Sequence, residues 1–222
     1  MNRTIFFDLD GTLIDTSERH YRVYKDILDF YGISNLLSKE EFWNQKRRGR
    51  KTSKLLPETS TKEFIKKFMD EWLKRIEDQN YLRYDSLLGG SLGILSILKD
   101  KDDIILVTLR NNKENLLWEL NNFGLTSYFK EILVGLSVGL KNKVPLIKDY
   151  VERCSKENNL IIVGDTEADI STGKDLGILT IAVTYGIRSK EFLRKLKPNF
   201  CLANLSELVD ILKDLKKIGG KL

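Results

Sequence analysis

The sequence predicts an α/β fold: a doubly wound parallel-sheet core carrying an inserted all-α segment. Three observations predict it. After residue 85, short apolar runs alternate with helical patterns, and such alternation builds a parallel sheet covered on both faces. The first apolar run, Ile5-Phe6-Phe7, stands far upstream of the runs it must pair with. The stretch between shows helical spacing and no β pattern. The expected division is a core of 1–15 and 85–222 and a helical unit of 16–84.

Each element has its own signal. In the insert, Ser17–Tyr31 carries Tyr21, Tyr24, Ile27, Leu28 and Tyr31 on one helical face. Ser38 and Glu41 have the capping-box spacing that opens a second helix. Thr61–Gln79 carries Phe64, Ile65, Phe68, Trp72, Leu73 and Ile76 at helical spacing, and such aromatic stripes read as core. Hinges fall near Asp15–Thr16 and Tyr84–Ser86. In the core, the expected strands are Ile104–Val107, Glu131–Val134, Leu160–Val163, Thr180–Val183 and Asn199–Leu202. Helices are expected at Gly90–Lys99, Lys113–Phe123, Pro145–Lys156, Ala168–Leu176, Ser189–Leu196 and Ser206–Lys217. No internal repeat or Gly-rich linker interrupts them.

Composition narrows the function classes. The 222 residues are 41% hydrophobic, enough to bury a core, and no apolar run approaches transmembrane length. The first strand begins almost at once, which leaves no room for a signal peptide. Cys154 and Cys201 make no disulfide framework, and a reducing, cytoplasmic setting is expected. His20 is the only histidine, which excludes His-rich metal sites. The net charge is +5, but 37 basic residues face 32 acidic ones. That charge is scattered, so neither nucleic acid nor membrane is an expected partner. The dense basic run is Lys46-Arg47-Arg48-Gly49-Arg50-Lys51.

Chemistry first shows in Phe6-Phe7-Asp8-Leu9-Asp10-Gly11-Thr12-Leu13. A buried strand delivers two carboxylates at its carboxyl end, where open α/β sheets bind ligands. One acid can attack or hold a metal while the other moves protons. A helix-capping turn explains one Asp, but not both Asp residues together with three further features downstream. Thr108 ends the run Ile104–Val107. Lys143 precedes Val144-Pro145, with Pro145 suited to a first helical turn. Gly164-Asp165-Thr166-Glu167-Ala168-Asp169 comes directly after Leu160–Val163. Singly, these read as an N-cap, a solvated lysine and first-turn acids. Jointly, and in this order, they read as one catalytic constellation.

That constellation resembles the motifs of the haloacid dehalogenase superfamily: D-x-D-G-T-L, a strand-ending Thr, a helix-mouth Lys and G-D-x-x-x-D. The helical insert resembles the subfamily with a helical cap. Ala182-Val183-Thr184-Tyr185-Gly186-Ile187-Arg188-Ser189, with Lys197-Pro198-Asn199 after it, resembles its phosphoglycolate-phosphatase-type members. The resemblance implies a Mg²⁺-dependent phosphatase acting on a small anionic phosphorylated metabolite, phosphoglycolate-like or a sugar phosphate, by a monomer or homodimer. It implies Asp8 as nucleophile and Asp10 as acid and base. Mg²⁺ would sit on Asp8, Asp165 and the Asp10 carbonyl, with Asp169 orienting a metal-bound water or Lys143. Thr108, the backbone beside it at Leu109, and Lys143 would bind the phosphoryl group. Lys141 is the competing lysine, and the Lys-Pro-x-Pro often seen in the family is absent. Arg47, Arg48 and Arg50 in the insert, and Arg110 after Thr108, are candidates for gripping substrate, since arginine forks suit carboxylate or phosphate. Asp10 argues against a dehalogenase. A phosphomutase, a phosphonatase using a cap lysine, and a binding module that kept the fold stand as alternatives. The last would be marked by a lost motif acid, and none is lost.

Overall fold

The computed structural model describes residues 3–34, 36–137, 139–154 and 159–219. Its core is a six-stranded parallel sheet in the order β5 (Glu131–Gly135), β4 (Asp103–Leu109), β1 (Thr4–Phe7), β6 (Leu160–Gly164), β7 (Leu179–Val183) and β8 (Phe200–Leu202). β1 (Thr4–Phe7) lies inside the sheet, paired to β4 (Asp103–Leu109) on one side and β6 (Leu160–Gly164) on the other. Its register sets Phe7 beside Leu106 and Val163. All four β1 residues are buried, as a strand covered on both faces must be. Alternate residues serve opposite layers. Ile5 and Phe7 join Leu95, Leu116, Leu120 and Leu208 on one face, while Phe6 meets Ile147 and Tyr150 on the other.

Between β1 and β4 lies the insert. A two-stranded antiparallel ribbon, β2 (Ile14–Asp15) with β3 (Ser86–Leu87), ties together the points where the chain leaves and re-enters the core. The insert holds α1 (Ser17–Phe30), α2 (Lys39–Arg47), α3 (Lys62–Arg75) and α4 (Gln79–Leu82). These helices have their own apolar cluster of Val23, Tyr24, Ile27, Leu28, Phe42, Leu55, Phe68 and Trp72. The Ser38–Glu41 capping box is formed, with Ser38 N–H donating to Glu41 at 3.0 Å and Glu41 N–H to Ser38 Oγ at 3.2 Å.

Three differences from the sequence expectation have local causes. The expected helix 61–79 ends at Arg75, because Asp78 turns its carboxylate back to Asn80 N–H, 2.8 Å away, and starts α4. Tyr31 is the C-cap of α1 and over a third exposed, so it lies at the margin of the stripe it was expected to join. The ribbon β2–β3 is too short to show alternation.

The core completes with α5 (Ser91–Leu98) before β4, then α6 (Lys113–Asn122), β5 (Glu131–Gly135), α7 (Val144–Cys154), β6, α8 (Glu167–Leu176), β7 (Leu179–Val183), α9 (Lys190–Lys195), β8 (Phe200–Leu202) and α10 (Glu207–Gly219). Ser155 and Lys156, expected at the end of the helix now seen as α7, lie outside the described residues. Strand order reverses around β1, so the carboxyl ends of β1, β4 and β6 open onto one crevice. Among the described residues no helix is long and apolar enough to cross a membrane.

Candidate active site

The crevice is a cavity of about 240 Å³. Asp8, Asp10, Thr108, Leu109, Arg110, Asn111 and Lys143 line its core side, and Arg19, His20, Trp72, Ile76 and Glu77 line its insert side. β1 brings Asp8 to its floor, β4 brings Thr108, and the mouth of α7 brings Lys143. Lys143 is buried and Lys141 is exposed. The geometry therefore selects between the two lysines: Lys143 Nζ donates to Asp8 Oδ1 and, at 2.6 Å, to Asp169 Oδ1. Its backbone N–H donates to Thr172 Oγ1 at 2.8 Å, which pins the stem.

Asp8, Asp165 and Asp169 are all buried, each offering an oxygen within 4.8 Å of the others. Their oxygens are not equally free. Asp169 Oδ2 accepts from Thr166 N–H at 3.0 Å and Thr166 Oγ1 at 2.8 Å, and its other oxygen takes Lys143. Asp8 Oδ2 accepts from Thr12 Oγ1 at 3.2 Å. Asp165 Oδ2 accepts from Ile187 N–H, while Asp165 Oδ1 is buried without a partner. Three carboxylates thus face one ammonium. Burial pushes Asp8 up to about 7 against the pull of Lys143, and Asp169 and Asp10 add repulsion. Burial, then Asp8 and Asp169, push Asp165 well above the carboxylate range. Burial pulls on Lys143, but Asp169 and Asp8 outweigh it and raise its pKa.

Surplus negative charge and an orphaned buried oxygen are what a divalent cation with hard oxygen ligands satisfies, so the donor set fits Mg²⁺. The backbone is shaped for this crowding. Gly11 has φ +81°, and a Cβ there would run into the Asp165 carboxylate. Asp169, expected to orient a metal-bound water or Lys143, accepts from Lys143 on one oxygen and from Thr166 on the other, while remaining within reach of the same cluster.

Asp10 sits in the opposite environment. Arg110 Nε and Nη2 donate to it at 2.6 and 2.7 Å, and Arg19 Nη2 donates from α1. Burial opposes the charge, yet Arg110 and Arg19 win and hold Asp10 down at about 2. Arg110 Nη2 also donates to Glu119 at 2.9 Å, and Arg19 Nε lies 3.2 Å from Asp85. Two cations therefore face Asp10, Asp85 and Glu119. Burial pushes Asp85 up to about 9 against Arg19, with Glu119 adding to the rise. The surroundings of Asp85 thus favour its protonated form.

Arginines 47, 48 and 50, expected as candidates to grip substrate, are not brought to the cavity. Arg47 reaches across to the core and donates to the carbonyls of Thr184, at 2.8 Å, Tyr185, at 2.8 Å, and Gly186. Arg48 is exposed, and exposed Arg50 donates to Gln45. The loop they share packs onto the core instead: a Cβ on Gly49, at φ +87°, would strike the Phe192 ring. Arg110 lines the cavity with Nε and Nη2 engaged by Asp10 and Glu119 and with Nη1 buried without a partner.

Several residues of the site are not among the candidates the sequence offers. Glu77 accepts from Asn111 N–H at 3.0 Å and Asn112 N–H at 2.6 Å, so the insert caps α6. Arg19 has a visible signal, since it shares the apolar face of α1 with Val23 and Ile27. Asp85 has none, because its partner Arg19 is remote in sequence, and Glu119 has none, because only the packing of its helix brings it to Arg110.

Such a site on such a sheet defines a class, a hydrolase built on a Rossmann-like core. The chain belongs to the haloacid dehalogenase-like hydrolase family, whose model matches residues 5–183. It is 28% identical over 219 residues to the pyrophosphatase PpaX of Halalkalibacterium halodurans, covering 94% of this chain and 95% of that one. It is 27% identical to the PpaX of Bacillus pumilus, covering 94% and 95%. Among solved structures it resembles a haloacid dehalogenase-like hydrolase from Streptococcus pneumoniae, with a TM-score of 0.79 and 19% identity over 95% of this chain and 98% of that one. A candidate phosphatase from Clostridium difficile also gives 0.79, at 25% identity over 96% and 99%.

Proposed function

We propose that the protein is a Mg²⁺-dependent cytoplasmic phosphatase that hydrolyses a small phosphorylated metabolite through a phosphoaspartate on Asp8, with residues 16–84 acting as a cap. The observation that carries this reading is the cavity floor, where Asp8 meets Lys143 beside two further buried aspartates. Asp8, Asp165 and the Asp10 carbonyl would hold the cation. When bound, it supplies the positive charge that lets an anionic carboxylate approach a phosphoryl dianion.

An Asp8 oxygen forms a bond to phosphorus as the bond to the leaving oxygen breaks. Lys143 and Thr108 receive the phosphoryl oxygens, with backbone N–H groups at Leu109 and Arg110 beside them. A basic leaving oxygen takes a proton from Asp10. In the second half a water oxygen attacks phosphorus and gives its proton to Asp10. The bond from phosphorus to Asp8 breaks, and phosphate and the free carboxylate are restored. Asp169 and Thr172 hold Lys143 in place for both halves.

The state of Asp10 bears on the substrate. Two arginines keep it ionised, which suits the water step and opposes protonation of a basic alkoxide. A diphosphate asks least of it, since its leaving group is a phosphate, stable as an anion. The relatives named pyrophosphatases support the same choice. Phosphoglycolate-like and sugar phosphates are the second class.

Phosphate release should be measured with Mg²⁺ over pyrophosphate, phosphoglycolate, sugar phosphates and nitrophenyl phosphate. Asp8→Asn should lose roughly 10³-fold or more in turnover with its fold intact, because an amide cannot serve as the nucleophile. Substantial activity in that variant, or full activity in excess chelator, would refute the mechanism.

A further inference from the structure

The cap side of the cavity holds one polar ring whose bonding is half complete. His20 lines the cavity. Its Nδ1 lies 3.0 Å from Lys46 Nζ, and its Nε2 has no protein partner among the described residues. Trp72 and Trp43 meet the imidazole edge to face at 5.5 and 6.0 Å, which fixes the ring's tilt. The charged groups on this wall are committed: Arg19 to Asp10 and Asp85, and Glu77 to the start of α6.

Lys46 is the unusual partner. It is buried, bonded otherwise only to Thr52 Oγ1 at 3.1 Å, and set over the Trp72 and Phe42 rings at 5.3 and 5.9 Å. No carboxylate pairs with it among the described residues. Burial alone would leave His20 neutral, and Lys46, Arg19, Arg110 and Arg188 reinforce this. A neutral imidazole carries one N–H, and an ammonium can only donate. Charged Lys46 therefore makes Nδ1 the acceptor and leaves Nε2–H as the free donor of a ring that lines the cavity.

We infer that Lys46 and His20 form a relay in the cap that receives the leaving group of a substrate whose leaving group is itself anionic, as in a diphosphate. Lys46 donates to Nδ1, and Nε2–H donates to the oxyanion. The positive charge stands one ring behind the contact, where the aromatic rings shield it from water. Burial holds Lys46 down at about 7, and an anion across the ring favours its charged form. The inference rests on the phosphatase reading above, which supplies the phosphoryl end of the substrate.

The chain's single histidine makes the test clean. In ¹⁵N-labelled protein at pH 6, one imidazole should show unprotonated Nδ1 and protonated Nε2. Adding methylenediphosphonate with Mg²⁺ should shift the Nε2 signal. Lys46→Met should mix the two tautomers without unfolding the cap, as thermal melts would show. On pyrophosphate, Lys46→Met and His20→Leu should each lower kcat/KM roughly tenfold to hundredfold, mainly through KM, the scale of a lost charge-assisted hydrogen bond. Nitrophenyl phosphate, whose leaving group lacks a second anion, should suffer much less. An Nδ1–H tautomer in the unaltered protein, or equal losses on both substrates, overturns the relay. If the unaltered protein released no phosphate from any ester or anhydride, the phosphatase reading would fail instead, while the tautomer would still decide the relay.

Discussion

Around Asp8 the molecule gathers acids; around Asp10, two residues on, it gathers arginines. Both groups are buried and both hold more carboxylates than cations. Lys143 faces Asp8 and Asp169, with Asp165 beside them. Arg19 and Arg110 face Asp10, Asp85 and Glu119. The imbalance is resolved differently. On the Asp10 side, fixed guanidinium forks take the cavity-facing acid, and a proton on Asp85 absorbs the remainder. On the Asp8 side one ammonium faces Asp8, Asp165 and Asp169, whose oxygens come within 4.8 Å of one another, so the surplus is gathered where a single ion can meet all three. Two identical side chains at one strand end are thus given opposite surroundings by their neighbours, acids around Asp8 and arginines around Asp10, which is what the proposed division between cation and proton asks of them.

The sharpest way to break that contrast is Asp10→Asn. The substitution keeps the backbone carbonyl and removes the proton carrier. Loss of a general acid–base group costs about 10²–10⁴-fold. The loss should be unequal between steps. With nitrophenyl phosphate, whose phenolate leaves easily, Asp8 should still be phosphorylated, giving a burst of nitrophenol and then a stall, because the water step lacks its base. An alkyl phosphate should show no burst. Equal slowing of phosphorylation for both esters, with no burst, would make Asp10 purely structural and would dissolve the division of labour with Asp8.

The two sides also differ in how visible they are in the sequence. Asp8, Thr108, Lys143, Asp165 and Asp169 stand out as positions because each lies beside an apolar run whose strand or helix aims it at one crevice. Their linear order carries that information. The Asp10 clamp is nearly invisible. Arg110 is adjacent to a motif but reads as a substrate grip, and its commitment to Glu119 emerges only when α6 is packed beside β4. Asp85 sits at a hinge and looks like any solvated loop acid. Arg47 reads as an anion binder because guanidinium suits phosphate, yet carbonyl oxygens satisfy its donors equally well, and only the tertiary approach of residues 184–186 supplies them. The fold is legible further than the site, since apolar periodicity is local while charge pairing is not.

A smaller effect sharpens the comparison through stability. Asp85 has a folded pKa of about 9 against an ordinary value of 3.8. Between those values the folded protein keeps a proton that the unfolded chain has released. Its stabilising contribution is therefore complete below about pH 4 and is lost progressively as pH rises towards about 9. One such proton limits the slope to about 1.4 kcal/mol per pH unit. Asp85→Asn keeps the neutral shape and cannot ionise. Urea melts at pH 6 and pH 8.5 should show the unaltered protein losing more stability than the variant across that interval. Equal losses would place the extra proton elsewhere in the group.

The smallest expected effect concerns the arginine that spans cap and core. Arg47 Nη1 and Nη2 donate to carbonyls of the loop ending at Ile187, whose own N–H holds Asp165. Arg188 Nη1 donates back to Lys46 O at 2.9 Å, and Ser189 N–H to Arg47 O at 2.8 Å. The insert is thus fastened beside the acid-rich side of the site by contacts within the protein itself. Arg47→Ala removes one fastening and leaves the other two. Charge-assisted hydrogen bonds contribute about 1.5–3 kcal/mol when buried, but Arg47 is only half-buried and the remaining contacts share the load. The expected loss is about fivefold in kcat/KM, on the scale of about 1 kcal/mol. It should be the same for pyrophosphate, an alkyl phosphate and nitrophenyl phosphate, because a looser cap handicaps every substrate alike. Arg48→Ala and Arg50→Ala, which touch neither cavity nor core carbonyls, should change nothing beyond twofold. A loss confined to the substrate with the largest anionic leaving group would show that Arg47 leaves its carbonyls to grip substrate, and would move it from fastening the cap to reading the ligand.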